Sequence, residues 1–70
     1  MLKEEEFQVV IWTAKVVERE QEFAFVINIS NNKGYWIHTG GEILPENQLL
    51  YLGLKIDSSY SYTLVRWSGR

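Results

Sequence analysis

Residues 22–39, EFAFVINISNNKGYWIHT, carry the clearest β-hairpin pattern in this 70-residue chain. In the first half, large apolar residues alternate with smaller or polar ones, which is the period of two expected for a strand with one buried face; the large residues are Phe23, Phe25, Ile27 and Ile29. Residues 32–34, Asn-Lys-Gly, then offer a reversal, because glycine adopts the positive φ angle that closes a three-residue hairpin loop. The pattern therefore predicts two antiparallel strands joined at this tripeptide.

This loop position sets the pairing of the two strands. Ile29 would face Ile37 and Asn28 would face His38, so Ile27 and Ile29 would share a buried face with Ile37. We expect a core whose least accessible members are Phe25, Ile27, Leu52 and Leu54.

Residues 7–18, FQVVIWTAKVVE, are interpreted as a strand because six of the twelve are β-branched. An apolar stripe at helical spacing keeps a helix open as the alternative. As a strand the segment is apolar on both faces, with Val9 and Ile11 on one and Val10 and Trp12 on the other. A bulge near residues 11–13 would bring both sets into one core; alternatively, one set packs on a second subunit.

Residues 49–57, LLYLGLKID, and 60–67, YSYTLVRW, predict the last two strands. Gly40-Gly41 breaks the preceding strand, and residues 45–48 predict a turn or a single helical turn. A two-residue loop at Ser58-Ser59 would pair Lys55 with Tyr62 and Tyr51 with Arg66. The outer face of this hairpin would then combine aromatic and basic side chains, namely Tyr51, Lys55, Tyr60, Tyr62 and Arg66.

These elements predict one small β domain over residues 1–70, with residues 1–6 as a frayed acidic lead-in. The predicted fold class is all-β, with about five antiparallel strands in a small, partly open barrel of SH3-like or OB-like shape and at most one short helical turn. Three Trp, four Tyr and three Phe are a heavy load for so small a core. Some of these rings must therefore be exposed or covered by another chain.

The composition argues against several classes of function. The chain has no cysteine and one histidine, which removes Cys–His nucleophiles and multi-histidine metal sites. His38 is predicted to be a surface residue bonded to Asn28 or water, and no catalytic residue, metal or cofactor is predicted. The longest wholly apolar run is residues 9–12, and no secretory signal is recognised, so we predict a cytoplasmic protein without a membrane span.

A non-enzymatic protein-binding module is the function that the residues favour. Trp and Tyr are the side chains that most often anchor interfaces, and the predicted partner-binding residues are Trp36, Tyr51, Lys55, Tyr60, Tyr62 and Arg66. The partner would be another protein or, as a homodimer, a second copy of the chain. Small size and a net charge of −2 suit an accessory or inhibitory factor of the kind that phages and mobile elements encode.

The alternative function is binding of single-stranded nucleic acid, in which rings stack on bases and cations follow the phosphates. The Tyr, Lys and Arg residues of the last hairpin would form that surface. Residues 33–37, KGYWI, are similar to the first ribonucleoprotein motif of cold-shock domains, although Trp36 replaces its second glycine. This similarity covers five residues and assigns no family. The negative net charge places nucleic acid second.

Overall fold

The computed structural model describes residues 7–69, which form five strands and no helix. The strands are β1 (Phe7–Arg19), β2 (Phe23–Asn28), β3 (Lys33–His38), β4 (Leu49–Asp57) and β5 (Tyr62–Gly69). The predicted all-β class and the strand interpretation of residues 7–18 are confirmed. Residues 46–48 form a bend, and within residues 7–69 no helix exists that could cross a membrane. The predicted acidic lead-in, residues 1–6, lies outside the described residues.

The five strands belong to one sheet with the order β1-β2-β3-β5-β4, and β4 pairs back onto β1. This closure is possible because β1 is long enough to pair with two strands. Its residues 7–15 pair with β4, and its residues 14–19 pair with β2. All junctions are antiparallel except that between β3 and β5, which consists of one parallel pair, His38 with Thr63. Strands distant in sequence thereby enclose a single interior.

The bend in β1 lies near its end, at a bulge between Val16 and Glu18, and not at residues 11–13 as predicted. Because alternation continues unbroken up to the bulge, the two faces of β1 cannot exchange before it. Trp12 and Val16 therefore point inward, while Val9 and Ile11 remain 61% and 66% exposed. The expectation that both apolar sets of β1 enter one core is wrong for Val9 and Ile11.

The core consists of nine buried apolar side chains: Ala14, Val16, Ala24, Val26, Ile37, Leu44, Leu50, Leu52 and Leu54. The prediction for Leu52 and Leu54 is confirmed, but Phe25 and Ile27 are only half-buried. Their neighbours in sequence, Ala24 and Val26, face the interior instead. The smaller side chains of β2 face the interior, and its larger ones lie on the outer side.

The β2–β3 loop explains this inversion. It spans residues 29–32, not 32–34, so Asn28 pairs with Lys33. The side-chain Oδ1 of Asn28 accepts the Ser30 N–H at 2.8 Å, and its carbonyl accepts the Asn32 N–H at 2.7 Å. Asn32 takes the positive φ of 60°. Compared with the predicted pairing of Asn28 with His38, the register moves by an odd number of residues, which exchanges the faces of β2.

Gly34, predicted to close the hairpin, lies within β3 opposite Ile27. A Cβ at this position would stand 2.3 Å from Cζ of Phe25. The glycine therefore lets the Phe25 ring lie across the backbone of β3.

The β4–β5 loop also differs from the predicted two-residue turn. It spans residues 58–61, Tyr60 has a φ of 62°, and Ile56 pairs with Tyr62. This one-residue shift sends Tyr62 toward the interior, so its predicted place on the outer face is wrong. Farther along, an irregularity leaves Val65 between the pairs Leu54–Leu64 and Gly53–Arg66.

Asp57 holds this loop together, and its ionisation is expected to matter for stability. Its Oδ1 accepts bonds from the Ser59 hydroxyl at 2.7 Å, the Ser59 N–H at 2.9 Å and the Ser61 N–H at 3.1 Å. The Ser59 hydroxyl bond, followed by the backbone bonds from Ser61 and Ser59, lowers the pKa of Asp57 below its ordinary value of 3.8.

Because the folded-state pKa is lowered, the stabilisation from Asp57 is complete above the unfolded-state value and is lost as the pH falls through the folded-state value. We expect Asp57→Asn, which keeps an oxygen acceptor but removes the charge, to melt below the parent protein at pH 7 and to approach it as the pH falls well below 3.8. Melting curves of both proteins across this range measure the difference. A gap that stays constant down to the lowest pH would contradict this role of the charge.

Candidate binding surface

The outer side of β2 and β3 carries a continuous group of rings. The β2–β3 register places Phe23 beside His38 and Phe25 beside Trp36. The centroids of the first pair are 4.8 Å apart with perpendicular rings, and those of the second are 5.2 Å apart. Together with Tyr60 of the β4–β5 loop, these residues are called here the aromatic face.

Tyr60 joins this group because His38 pairs with Thr63, which brings the β4–β5 loop to the end of β3. A surface depression lies at the junction and is lined by residues that include Phe23, Trp36, His38 and Tyr60. Phe23 and Trp36 are each 45% exposed, and Tyr60 is 78% exposed. Rings of this size left open to water on adjoining strands form the kind of surface that commonly marks a binding site.

One carboxylate and one lysine lie close to the residues that line the depression: Glu22 beside His38, and Lys55, which pairs with Thr63. Glu22 is the residue before β2, and its Oε1 lies 3.8 Å from Nε2 of His38. The residues lining the depression include no Lys or Arg. The nearest basic residue in sequence, Arg19, donates to Oε2 of Glu46 at 3.2 Å and to the carbonyl of Leu44 at 3.0 Å. The aromatic face therefore combines apolar rings with a carboxylate beside His38.

A second ring cluster belongs to the interior. The centroid of Trp12 lies 4.7 Å from that of Tyr35 and 5.3 Å from that of Tyr62, and the two tyrosines are 5.2 Å apart. All three pack against the buried core, and the Tyr35 hydroxyl accepts a bond from Nδ2 of Asn31. Tyr62 is therefore a packing residue at this position, and the predicted set loses it as a surface ring.

Four of the five remaining predicted residues divide between two surfaces. Trp36 and Tyr60 belong to the aromatic face, whereas Tyr51 and Arg66 line a depression above Gly53 on the outer side of β1, β4 and β5. Lys55 pairs with Val9 and Thr63, and Tyr51 pairs with Ser68 instead of Arg66. The sequence interpretation placed these residues on one surface, whereas the observed register of β5 places them on two.

Phe23 and Phe25 are the surface residues that sequence reasoning missed, because it assigned their side of β2 to the core. His38 also lies elsewhere than predicted: it faces Phe23 and approaches Glu22, not Asn28. In residues 7–69, His, Asp and Glu side chains form no group of three that could hold a metal ion. No protein-family model, curated protein or solved structure matches this chain.

Proposed function

We propose that the domain is a non-enzymatic protein-binding module whose contact surface is the aromatic face. The observation that carries this proposal is the exposure of Phe23, Trp36 and Tyr60 around one depression. Trp and Tyr supply large contact areas at a small entropic cost, and they dominate the energetics of protein interfaces. A predominantly apolar surface without Lys or Arg among its lining residues suits another protein better than it suits a polyanion.

An OB-like barrel is the architecture that we propose for this sheet, in preference to an SH3-like one. Two features support it: β1 is shared between β2 and β4, and β3 runs parallel to β5. OB-folds bind ligands on the face of their second and third strands and on the adjoining loop between the fourth and fifth. The aromatic face occupies this location, although analogy between folds is a weaker support than the exposed rings themselves.

Trp36→Ala tests the proposal. The unmodified domain, immobilised through one terminus, is used to capture partners, and the affinity of each captured protein is measured for the parent and the variant. We expect Trp36→Ala to weaken binding at least about tenfold, equivalent to about 1.4 kcal/mol, while the variant stays folded. Tyr51→Ala, which removes a 40% exposed ring from the other surface, serves as the matched control and should bind as the parent does. Equal affinity of Trp36→Ala and parent would remove the aromatic face from the function.

Single-stranded nucleic acid is the second candidate ligand. The specific observation in its favour is that exposed rings lie on the face that OB-folds use for oligonucleotides. Against it stands the lack of a basic side chain among the residues lining the depression. Titration of a labelled oligonucleotide at two salt concentrations separates the candidates, because phosphate contacts strengthen as salt is lowered. Absence of binding at low salt would exclude this candidate.

A second copy of the chain is the special case in which the partner is identical. Sedimentation of the parent and of Trp36→Ala over a range of concentrations tests it, since only the parent should then show a concentration-dependent mass. An accessory or inhibitory role, a phage or mobile-element origin and a cytoplasmic location stay predictions from size, charge and composition.

A further inference from the structure

We propose that the depression in the aromatic face is a site for an organic cation, the guanidinium or ammonium group of an Arg or Lys side chain on the bound protein. This inference rests on the proposed function and specifies the chemistry of the partner. In this proposal, four residues select the charge of the bound group: Phe23, Trp36, Tyr60 and Glu22.

The rings provide the first part of the argument. The face of an aromatic ring carries the negative part of its quadrupole, and indole attracts cations most strongly. Trp36 and Phe23 contribute half-exposed rings on adjacent strands, and Tyr60 contributes a ring from the loop beside them. A cationic group entering the depression would meet aromatic carbon from more than one element, while its aliphatic stem would lie on apolar surface.

The surrounding charges provide the second part. The Glu22 carboxylate, whose side chain is 60% exposed, lies 3.8 Å from the imidazole of His38, a residue that lines the depression. An incoming cation would find this carboxylate beside the rings and no Lys or Arg among the lining residues. Lys55, which pairs with the lining residue Thr63, interacts with the Asp57 carboxylate. Arg19 does not neutralise Glu22, because its guanidinium is bonded to Glu46 and to the carbonyl of Leu44.

The two observations together favour a cation over the other charge classes. A phosphate or carboxylate group would approach the Glu22 carboxylate without a basic lining residue to balance its charge. A neutral apolar side chain would use the rings but not the carboxylate. A side chain that is both flat or aliphatic and positively charged uses both.

The test compares two probes that differ in charge and hardly in shape. Nα-acetyl-arginine methylamide carries a guanidinium group, and Nα-acetyl-citrulline methylamide carries an uncharged urea group in its place. Each is titrated into the isotope-labelled domain, and the indole N–H signal of Trp36 is followed by NMR. We expect the arginine probe to bind about three- to tenfold more tightly, in keeping with the strength of a partly desolvated cation–π contact.

Three variants show where the preference arises. Glu22→Gln and Tyr60→Leu should each reduce the preference for arginine over citrulline to within about twofold, because the first removes the charge without changing the side-chain size and the second removes the ring but keeps an apolar side chain. Tyr51→Leu, on the other surface, should retain the full preference. The remaining signals of each spectrum verify that the variant is folded.

Equal binding of the two probes, or no shift of the Trp36 signal up to the solubility limit of the arginine probe, would overturn the cation site. Either result would leave the protein-binding proposal standing if Trp36→Ala still weakened a captured partner. Conversely, a preference for arginine that persists in Glu22→Gln and Tyr60→Leu would place cation binding elsewhere on the domain.

Discussion

Replacing Leu52 by Ala is expected to lower the free energy of unfolding by about 2–5 kcal/mol. Leu52 is completely buried, and it pairs with Trp12 of β1 on one side and with Trp67 of β5 on the other. Its removal leaves a cavity between two antiparallel ladders. The backbone pairing of both ladders keeps the strands from moving in to fill it. In a domain of this size, such a loss is a large fraction of the whole stability.

Urea unfolding followed by fluorescence measures the change, with Ile43→Ala as the control. Ile43 is 75% exposed in the β3–β4 connection, so its truncation should alter stability by no more than about 0.5 kcal/mol. Ile27→Ala should fall between the two variants, because Ile27 is half-buried on the outer side of β2. A midpoint for Leu52→Ala equal to that of Ile43→Ala would contradict the position of Leu52 in the core.

Trp12→Ala is expected to have a comparable effect, about 3 kcal/mol or more. The ring of Trp12 contacts those of Tyr35 and Tyr62, which belong to β3 and β5. These are the two strands that share only one backbone pair. Side-chain packing around Trp12 therefore holds together a junction that hydrogen bonds of the sheet hold weakly.

Thermal melting of Trp12→Ala and Trp36→Ala, an internal and an external tryptophan, provides the comparison. Trp36 is 45% exposed and contacts Phe25 on the outer side, so its truncation should destabilise the domain clearly less. The near-ultraviolet circular dichroism should also decrease more in Trp12→Ala, since its ring has the more fixed surroundings. Equal melting temperatures for the two variants would show that the assignment of inner and outer rings is wrong.

The strands that sequence reasoning predicted correctly have unambiguous patterns. In β4, the residues Leu50, Leu52 and Leu54 alternate with Tyr51, Gly53 and Lys55, so one face is plainly the more apolar. The buried leucines confirm that face. In β1, the density of β-branched residues predicted a strand, but Val9 and Val10 are equally apolar, and only the pairing decides which of them lies inside.

The inward face of β2 could not be predicted from hydrophobicity, because the larger and more apolar residues are not the buried ones. Phe25 and Ile27 are larger and more apolar than Ala24 and Val26, yet the interior accommodates the smaller pair. The loop signal was equally misleading. Asn28, whose side chain accepts a hydrogen bond from the Ser30 N–H, begins a turn at residues 29–32, whereas sequence reasoning placed the turn at residues 32–34.

These two errors also limited how much of the candidate surface could be predicted from the sequence. The exposure of Trp36 and Tyr60 followed from an excess of aromatic residues, which a core of this size cannot hold. Phe23 was missed because its side of β2 was assigned to the core. Tyr62 was misplaced because the predicted β4–β5 pairing was one residue out of register. A surface built from two strands and a loop can be predicted only when the pairing of each element is known. Short turns set these pairings.

The lone His38–Thr63 pair has a consequence for motion as well as for shape. Every other junction of the sheet is a ladder, so separating it means breaking several backbone bonds in succession. Here β3 and β5 share one backbone pair and are otherwise joined by the rings of Trp12, Tyr35 and Tyr62, so amide hydrogens at this junction should exchange with solvent through local opening before the rest of the molecule unfolds. Phe23, Trp36 and Tyr60 border this junction. The candidate surface thus lies where the sheet has its fewest backbone pairs, and a ligand that bridges β3 and the loop before β5 should slow that exchange.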